Sequence, residues 1–243
     1  MKKLSAFLVA TLLLEFGGQA VRQVTGFELF PALESVAFAA EERKRRKARR
    51  VPNISEMTFR RLAQAQELMD LKEYDAALEV LVEMERRSRR YNGNEMGQVY
   101  SMFAFIMFSK ENNAGTIRYY EKVLEQGDDI TEGLEHGTMF SLAQLYFVEE
   151  EYQRSLDMMN RWLIKKADFG DDPGPNPRYF MGQVYYAMKD YPGATEQIEI
   201  AIAMAEARDM VPIKENWWQL LRFLYFEQDN WDRVLEILHV LVR

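Results

Sequence analysis

Five short segments recur along this chain at an almost fixed spacing. They are Glu73-Tyr74-Asp-Ala-Ala77-Leu, Asn112-Asn113-Ala-Gly-Thr116-Ile, Glu151-Tyr152-Gln-Arg-Ser155-Leu, Asp190-Tyr191-Pro-Gly-Ala194-Thr and Asn230-Trp231-Asp-Arg-Val234-Leu. In each, an aromatic residue (Asn113 in the second) is followed three positions later by a small or β-branched one. The markers stand at 74, 113, 152, 191 and 231, giving steps of 39, 39, 39 and 40 residues. A period of this size means a stack of similar supersecondary units, each burying its apolar face only against its neighbours.

The units read as helix pairs. Ahead of the later markers lie Phe103-Ala-Phe-Ile-Met-Phe108, Leu142-Ala-Gln-Leu-Tyr-Phe147, Met181-Gly-Gln-Val-Tyr-Tyr186 and Leu221-Arg-Phe-Leu-Tyr-Phe226. Behind each marker runs a second amphipathic stretch, as in Ala77-Leu-Glu-Val-Leu-Val-Glu-Met84, with apolar residues at helical intervals. Turn-forming residues separate the units at Asn92-Gly93, Gly127-Asp128-Asp129 and Gly170-Asp-Asp-Pro173-Gly-Pro-Asn-Pro177. No segment alternates with period two over strand length. With 13 Gly, 7 Pro and 14 Met in 243 residues, composition also leans towards helices.

This pattern resembles the tetratricopeptide repeat (TPR) family, whose units pair a helix A with a helix B. The resemblance covers about residues 55–243 and implies an all-α, right-handed superhelical solenoid of about five hairpins. Small residues fall where helix A approaches helix B: Ala65, Ala104, Ala143 and Gly182 on A, and Ala77, Thr116, Ser155 and Ala194 on B. The next contact position on A reads Leu68, Met107, Tyr146, Tyr185 and Tyr225. The period exceeds the family's usual value by about five residues, so the connections or helix ends are expected to be longer. Arg222 stands where the last helix A needs a small side chain, so the last unit is expected to pack differently or splay.

The amino terminus reads as an address. Met1-Lys2-Lys3 precedes an apolar run from Leu4 to Leu14 that Glu15 ends. That run is about half of what a membrane-spanning helix requires and suits the core of a signal peptide. Cleavage is expected after Ala39, with Ala20 as the earlier alternative, giving a signal peptide over 1–39 and export to a periplasm. An uncleaved leader anchoring the protein at the inner membrane is the other reading. Residues 40–53 are expected as a disordered basic linker and 54–243 as the repeat domain.

Within that linker, Glu41 to Arg50 carries seven basic and two acidic residues and no large apolar one. Residues 51–243 retain 21 basic and 33 acidic side chains, a net charge of −12. A basic tail therefore precedes an acidic body. Contact of Arg43–Arg50 with a membrane surface or an acidic partner competes with the reading as a solvated spacer folded back on the body. The acidic body argues against nucleic acid as a partner.

A narrower resemblance rests on three features in order: the basic segment ending Arg49-Arg50-Val51-Pro52, then Leu142-Ala-Gln-Leu-Tyr-Phe147, then Lys214-Glu-Asn-Trp-Trp218. Together they look like TPR proteins encoded beside TonB–ExbB–ExbD energy-transduction systems of Gram-negative bacteria. That resemblance implies a periplasmic role in TonB-dependent transport, with a component of that system as partner.

The TPR resemblance also implies a concave surface formed by the inner faces of the A helices. One register position reads Met69, Phe108, Phe147, Tyr186 and Phe226. Three residues earlier it reads Phe105, Gln144, Gln183 and Phe223, and four residues before that Ser101, Phe140, Tyr179 and Gln219. Offsets of three and four place these on one helix face. The rings either fill the core between neighbouring helices or line a groove for an extended or helical peptide. A ligand covering about 60 Å² on each of four rings would gain roughly 6 kcal/mol at ~25 cal/mol/Å². Association costs of similar size leave a weak to micromolar partner.

Nothing in the sequence carries catalysis. Cys is absent, and His136 and His239 stand about a hundred residues apart, so neither a thiolate nor a His-based metal site is expected. There is no phosphate-binding glycine loop and no nucleophile elbow, and no cofactor is expected. The paired acids Asp128-Asp129 and Asp171-Asp172 sit in Gly/Pro turns without a calcium-loop spacing and are expected to be solvated. Glu149-Glu150-Glu151 is expected as a wet turn between helices.

The last helix is apolar around much of its surface, at Leu235, Leu238, Leu241 and Val242 among others. Either further units follow, or these residues meet a partner or a second copy. Two functions remain: an adaptor gripping a protein of an envelope transport machine through the ring stripe, or an assembly factor for cell-envelope complexes with no peptide groove.

Overall fold

In the computed structural model, residues 49–168, 170–210 and 213–242 are described, and among them there are ten α-helices and no strand. In order these are α1 (Glu56–Asp70), α2 (Tyr74–Arg86), α3 (Gly93–Ser109), α4 (Asn113–Leu124) and α5 (Glu132–Val148), then α6 (Tyr152–Asp168), α7 (Asn176–Ala187), α8 (Tyr191–Glu206), α9 (Glu215–Glu227) and α10 (Trp231–Leu241). The expected signal peptide and the basic run up to Ala48 lie outside the described residues. Among those described, no helix is long and apolar enough to cross a membrane. The chain divides into two compact units, 1–148 and 149–243, with the boundary in the turn between α5 and α6.

All five markers begin a helix: Tyr74, Asn113, Tyr152, Tyr191 and Trp231 are the first residues of α2, α4, α6, α8 and α10. Two residues before each, the backbone enters the left-handed region, at Lys72 (φ 61°), Glu111 (57°), Glu150 (62°), Lys189 (63°) and Asp229 (56°). None of the five is glycine. The following amide then reaches back five residues: Glu73 N to Leu68 O (2.8 Å), Asn112 N to Met107 O (2.9 Å), Asp190 N to Tyr185 O (3.0 Å) and Asn230 N to Tyr225 O (2.9 Å). This is the long hydrogen bond of a Schellman closure, which satisfies helix-end carbonyls while reversing the chain. The same residue then caps the next helix. The side chains of Asn112, Asp190 and Asn230 accept from the amides of Gly115, Gly193 and Arg233.

Within each unit the reversed helices meet through the small positions: Ala65, Ala77, Ala104, Thr116 and Ala194 are all completely buried. Ala143 and Ser155 are completely buried as well. At Gly182 an added Cβ would fall 2.5 Å from Ile198 Cγ1 and 3.2 Å from the Ala194 carbonyl, so this closest approach of α7 to α8 needs a bare Cα. Arg222, at the equivalent place on α9, is half-buried, and α9 pairs with α10 less closely than α7 with α8. The residues beyond a compact repeat are spent between helix pairs, partly in the 3₁₀ turns Ser88–Arg90 and Gly127–Asp129.

Unit 1 buries Phe103 parallel to Tyr119, with ring centroids 4.4 Å apart, between α3 and α4. Its helix starts are tied together by polar groups. Glu95 accepts from Ser55 N (2.8 Å) and Asn92 N (2.9 Å), while Asn92 Oδ1 accepts from Glu95 N, completing a capping box at α3. Asn92 and Asn94 donate to the carbonyls of Asn53 and Pro52. Arg49 lies against the start of α5: its guanidinium reaches Glu135 (2.9 Å), Asp128 (3.1 Å) and the Ile130 carbonyl (3.2 Å), with only 13 % of the side chain exposed. Residues 49–53 thus run along this unit. Asp128, which the sequence presents as a merely solvated acid, is the exposed partner of Arg49. Asp172 likewise holds Arg208 and the Gly174 amide. The triple-acid turn is solvated as expected, with Glu149, Glu150 and Glu151 all exposed.

Burial raises the Glu95 carboxyl, but the Thr58 hydroxyl, the Ser55 and Asn92 amides and the Ser55 hydroxyl outweigh it and hold the group below the usual carboxylate range. A depressed carboxylate stabilises fully above its unfolded value of about 4.3, and that stability is lost as pH falls through the lower folded value. Glu95→Gln is therefore expected to cost about 1–2 kcal/mol near neutral pH and to flatten the acid limb of stability, read by urea unfolding across that window. Gly182→Val should cost about 2–3 kcal/mol in the same assay, because overpacking exceeds any gain in helix propensity.

Candidate partner-binding surface

The A helices carry the expected ring positions, and the two units hold them differently. In unit 1, α3 places Phe105 half-buried and Phe108 38 % exposed, and α5 places Phe140, Gln144 and Phe147 half-buried. Each stands one helical turn or two from the next on its own helix, so each helix offers one ridge of rings. In unit 2, α7 and α9 bring their rings together. Tyr186 meets Phe223 edge to face, with centroids 5.6 Å apart and planes at 90°. It also approaches Tyr191 at 6.3 Å. One turn along α9, Phe226 meets Trp231 edge to face at 5.2 Å.

Tyr179 is a correction to the expected stripe. Its ring stacks on Trp217 at 4.7 Å and 12°, is 3 % exposed, and belongs to the core of unit 2 with Ala194, Ile198 and Leu221. Gln183, one turn on, is 8 % exposed, and its Oε1 is buried with no hydrogen-bond partner. Gln219 is exposed and donates to Glu215 along its own helix at 2.6 Å. The rings left accessible in unit 2 are Phe223 (37 %), Phe226 (49 %) and Trp231 (54 %), with Tyr186 half-buried beside them.

Trp231 was legible as a repeat marker but not as a surface ring. The other aromatic markers, Tyr74, Tyr152 and Tyr191, are half-buried, whereas among the described residues no further helix covers Trp231. Edge-to-face pairs contribute about 0.5–1.5 kcal/mol beyond area burial, so Tyr186–Phe223 and Phe226–Trp231 hold their rings in place before any partner arrives. Covering about 60 Å² on each of three rings yields roughly 4–5 kcal/mol at ~25 cal/mol/Å². Against association costs this again means a weak partner.

Electrostatics around the rings is modest. Burial pushes the Tyr186 phenol up, with the neighbouring Tyr191 and Glu227 adding to the shift, so the ring presents a neutral hydroxyl at physiological pH. Among the described residues no group of three or more His, Asp or Glu is arranged to hold a metal ion.

No protein-family model matches the chain, and no curated protein matches its sequence. Solved structures do. The apo form of RapI is 14 % identical over 74 % of this chain and 67 % of its own, with a TM-score of 0.57. MamA 41-end from Desulfovibrio magneticus RS-1 is 13 % identical over 78 % of this chain and 96 % of its own, at 0.56. A putative kinesin light chain of nearly identical TPR-like repeats from Podosopora anserina is 12 % identical over 78 % and 95 %, at 0.54. The fold is TPR-like. At these identities the likeness establishes architecture, and the site must be argued from this chain's own residues.

Gln183 gives a direct check on how this helix is buried. A buried acceptor without a donor costs about 1–3 kcal/mol, and replacing it with an apolar group of similar shape is near neutral or stabilising. Gln183→Met is expected to leave the urea midpoint unchanged or raise it. A loss of 1 kcal/mol or more would show that the amide already has a donor.

Proposed function

We propose that this chain is a non-catalytic scaffold that grips a protein segment on the A-helix rings. The observation carrying this reading is the cluster of Phe223, Phe226 and Trp231, held in edge-to-face pairs yet still open to solvent. A scaffold built only for stability has no use for three such rings on one side of a helix pair, since burying them is worth more than leaving them wet.

The compartment and the partner rest on sequence. The amino-terminal run Met1–Leu14 and the candidate cleavage sites support export to a periplasm. The ordered appearance of Arg49-Arg50-Val51-Pro52, Leu142–Phe147 and Lys214–Trp218 supports a component of a TonB–ExbB–ExbD system as the gripped protein, in service of TonB-dependent transport. The competing role as an envelope assembly factor draws on a different surface, the exposed Leu235 (58 %) of the last helix and Val242 (84 %) at its C-terminal cap.

Crosslinking in the periplasm followed by mass spectrometry separates the two. Phe223→Ala combined with Phe226→Ala is expected to abolish capture of TonB, ExbB or ExbD peptides while helicity is retained, at a stability loss of about 1–2 kcal/mol. Capture that survives the double variant and disappears on Leu235→Glu combined with Val242→Glu, both at exposed positions, would replace the adaptor reading with the assembly one.

A further inference from the structure

Unit 2 has a second concave surface, on the side of its B helices. A groove of about 400 Å³ lies between α8 and α10, floored by α9. Helix α8 contributes Glu199, Ile202, Ala203 and Glu206, and α10 contributes Arg233, Glu236, Ile237 and Val240. Both sets have the spacing i, i+3, i+4, i+7, the facing stripe of one helix side over two turns, or roughly 10 Å of axis. Between them α9 supplies Leu221 and Trp218.

The floor and the rim differ in kind. Ile202, Leu221 and Ile237 are buried at 5 %, 2 % and 3 % exposure and form a smooth apolar bottom, with Ala203 and Val240 exposed along the walls. Trp218 is half-buried, presenting part of its ring. The rim carries three carboxylates against one guanidinium. Arg233 is already committed to Glu199 (3.1 Å) and to Glu236, while Glu206 has no ion-pair partner among the described residues. The groove is therefore apolar below and net negative above.

We infer that this groove is a docking site for a basic amphipathic helix of a partner protein, separate from the ring surface. Two turns of such a helix lay apolar side chains at matching spacing onto Ile202, Leu221 and Ile237, with Lys or Arg flanks meeting Glu206, Glu199 and Glu236. The chain's own basic run, Glu41–Arg50, satisfies the charge but contains no large apolar residue to fill the floor, which excludes it as the occupant. Small Ala203 leaves room at the wall for the incoming helix backbone.

The test uses the full chain and a synthetic helix of about five turns, with Leu at i, i+3, i+4, i+7 spacing and Lys on the flanks. Its control carries Glu at the Lys positions. Fluorescence anisotropy is expected to show micromolar binding of the Lys peptide, at least about tenfold weaker binding of the Glu peptide, and weakening with salt. Ala203→Arg, which fills the wall with bulk and like charge at an exposed helix position, should abolish it. Glu206→Lys with Glu236→Lys should reverse the preference between the two peptides. Equal binding of both peptides, or binding untouched by Ala203→Arg, overturns the proposal. So does amide-shift mapping that places the peptide on Tyr186, Phe223 and Phe226. A concentration-dependent dimer abolished by Ala203→Arg also overturns it, assigning the groove to a second copy.

Discussion

Each helix pair within a unit depends on reversing the chain within three residues, and in the four such pairs the device is the same. A residue in the left-handed conformation ends helix A, its successor both closes a long hydrogen bond to that helix and stands at the start of helix B, and the marker begins B. Placing Lys, Glu or Asp in that conformation costs on the order of 1 kcal/mol relative to glycine. The cost recurs five times at steps of 39, 39, 39 and 40 residues. It is offset by what the turn enables: helices close enough that Ala65, Ala77, Ala104 and Thr116 are completely buried and Gly182 lies against Ile198. Small residues at the crossing are useful only if the turn is tight, and a tight turn is tolerable only if the crossing residues are small.

That close crossing leaves the larger side chains to be distributed on either side. On the A side, rings that do not fit between helices pair edge to face and stay partly wet. On the B side, the floor of Ile202, Leu221 and Ile237 is left between α8 and α10, which stand on either side of α9. Both surfaces follow from the same packing rule, applied to residues that the repeat does not fix.

Much of the architecture was legible because it is written in repeated positions. The marker spacing located the first residue of five helices, and the small residues located the crossings, since both are consequences of local sterics. What the spacing did not reveal depends on residues that break the repeat. Tyr179 has the same period as Phe140 and Gln219, yet it is covered by Trp217, a ring with no counterpart in the earlier units. Trp231 follows the marker rule and is nevertheless exposed. The insertion of Arg49 against Glu135 and Asp128 was hidden inside a basic run whose members look alike in sequence. The B-side groove was invisible for a similar reason, since Glu199, Ile202, Ala203 and Glu206 read as the ordinary flank of an amphipathic helix until Trp218 and Ile237 stand across from them. Asp128 and Asp172 are exposed, as expected, but their arginine partners, 79 and 36 residues away, could not be read from the turns themselves.

The repeated left-handed turn is tested most directly by paired substitutions at Glu111 in unit 1 and Lys189 in unit 2, measured by equilibrium urea unfolding. Glycine at either site should leave stability unchanged or raise it by up to about 1 kcal/mol, while valine should lower it by at least about 1 kcal/mol, because a β-branched side chain crowds its own backbone at positive φ. Valine tolerated as well as glycine at both sites would contradict the account.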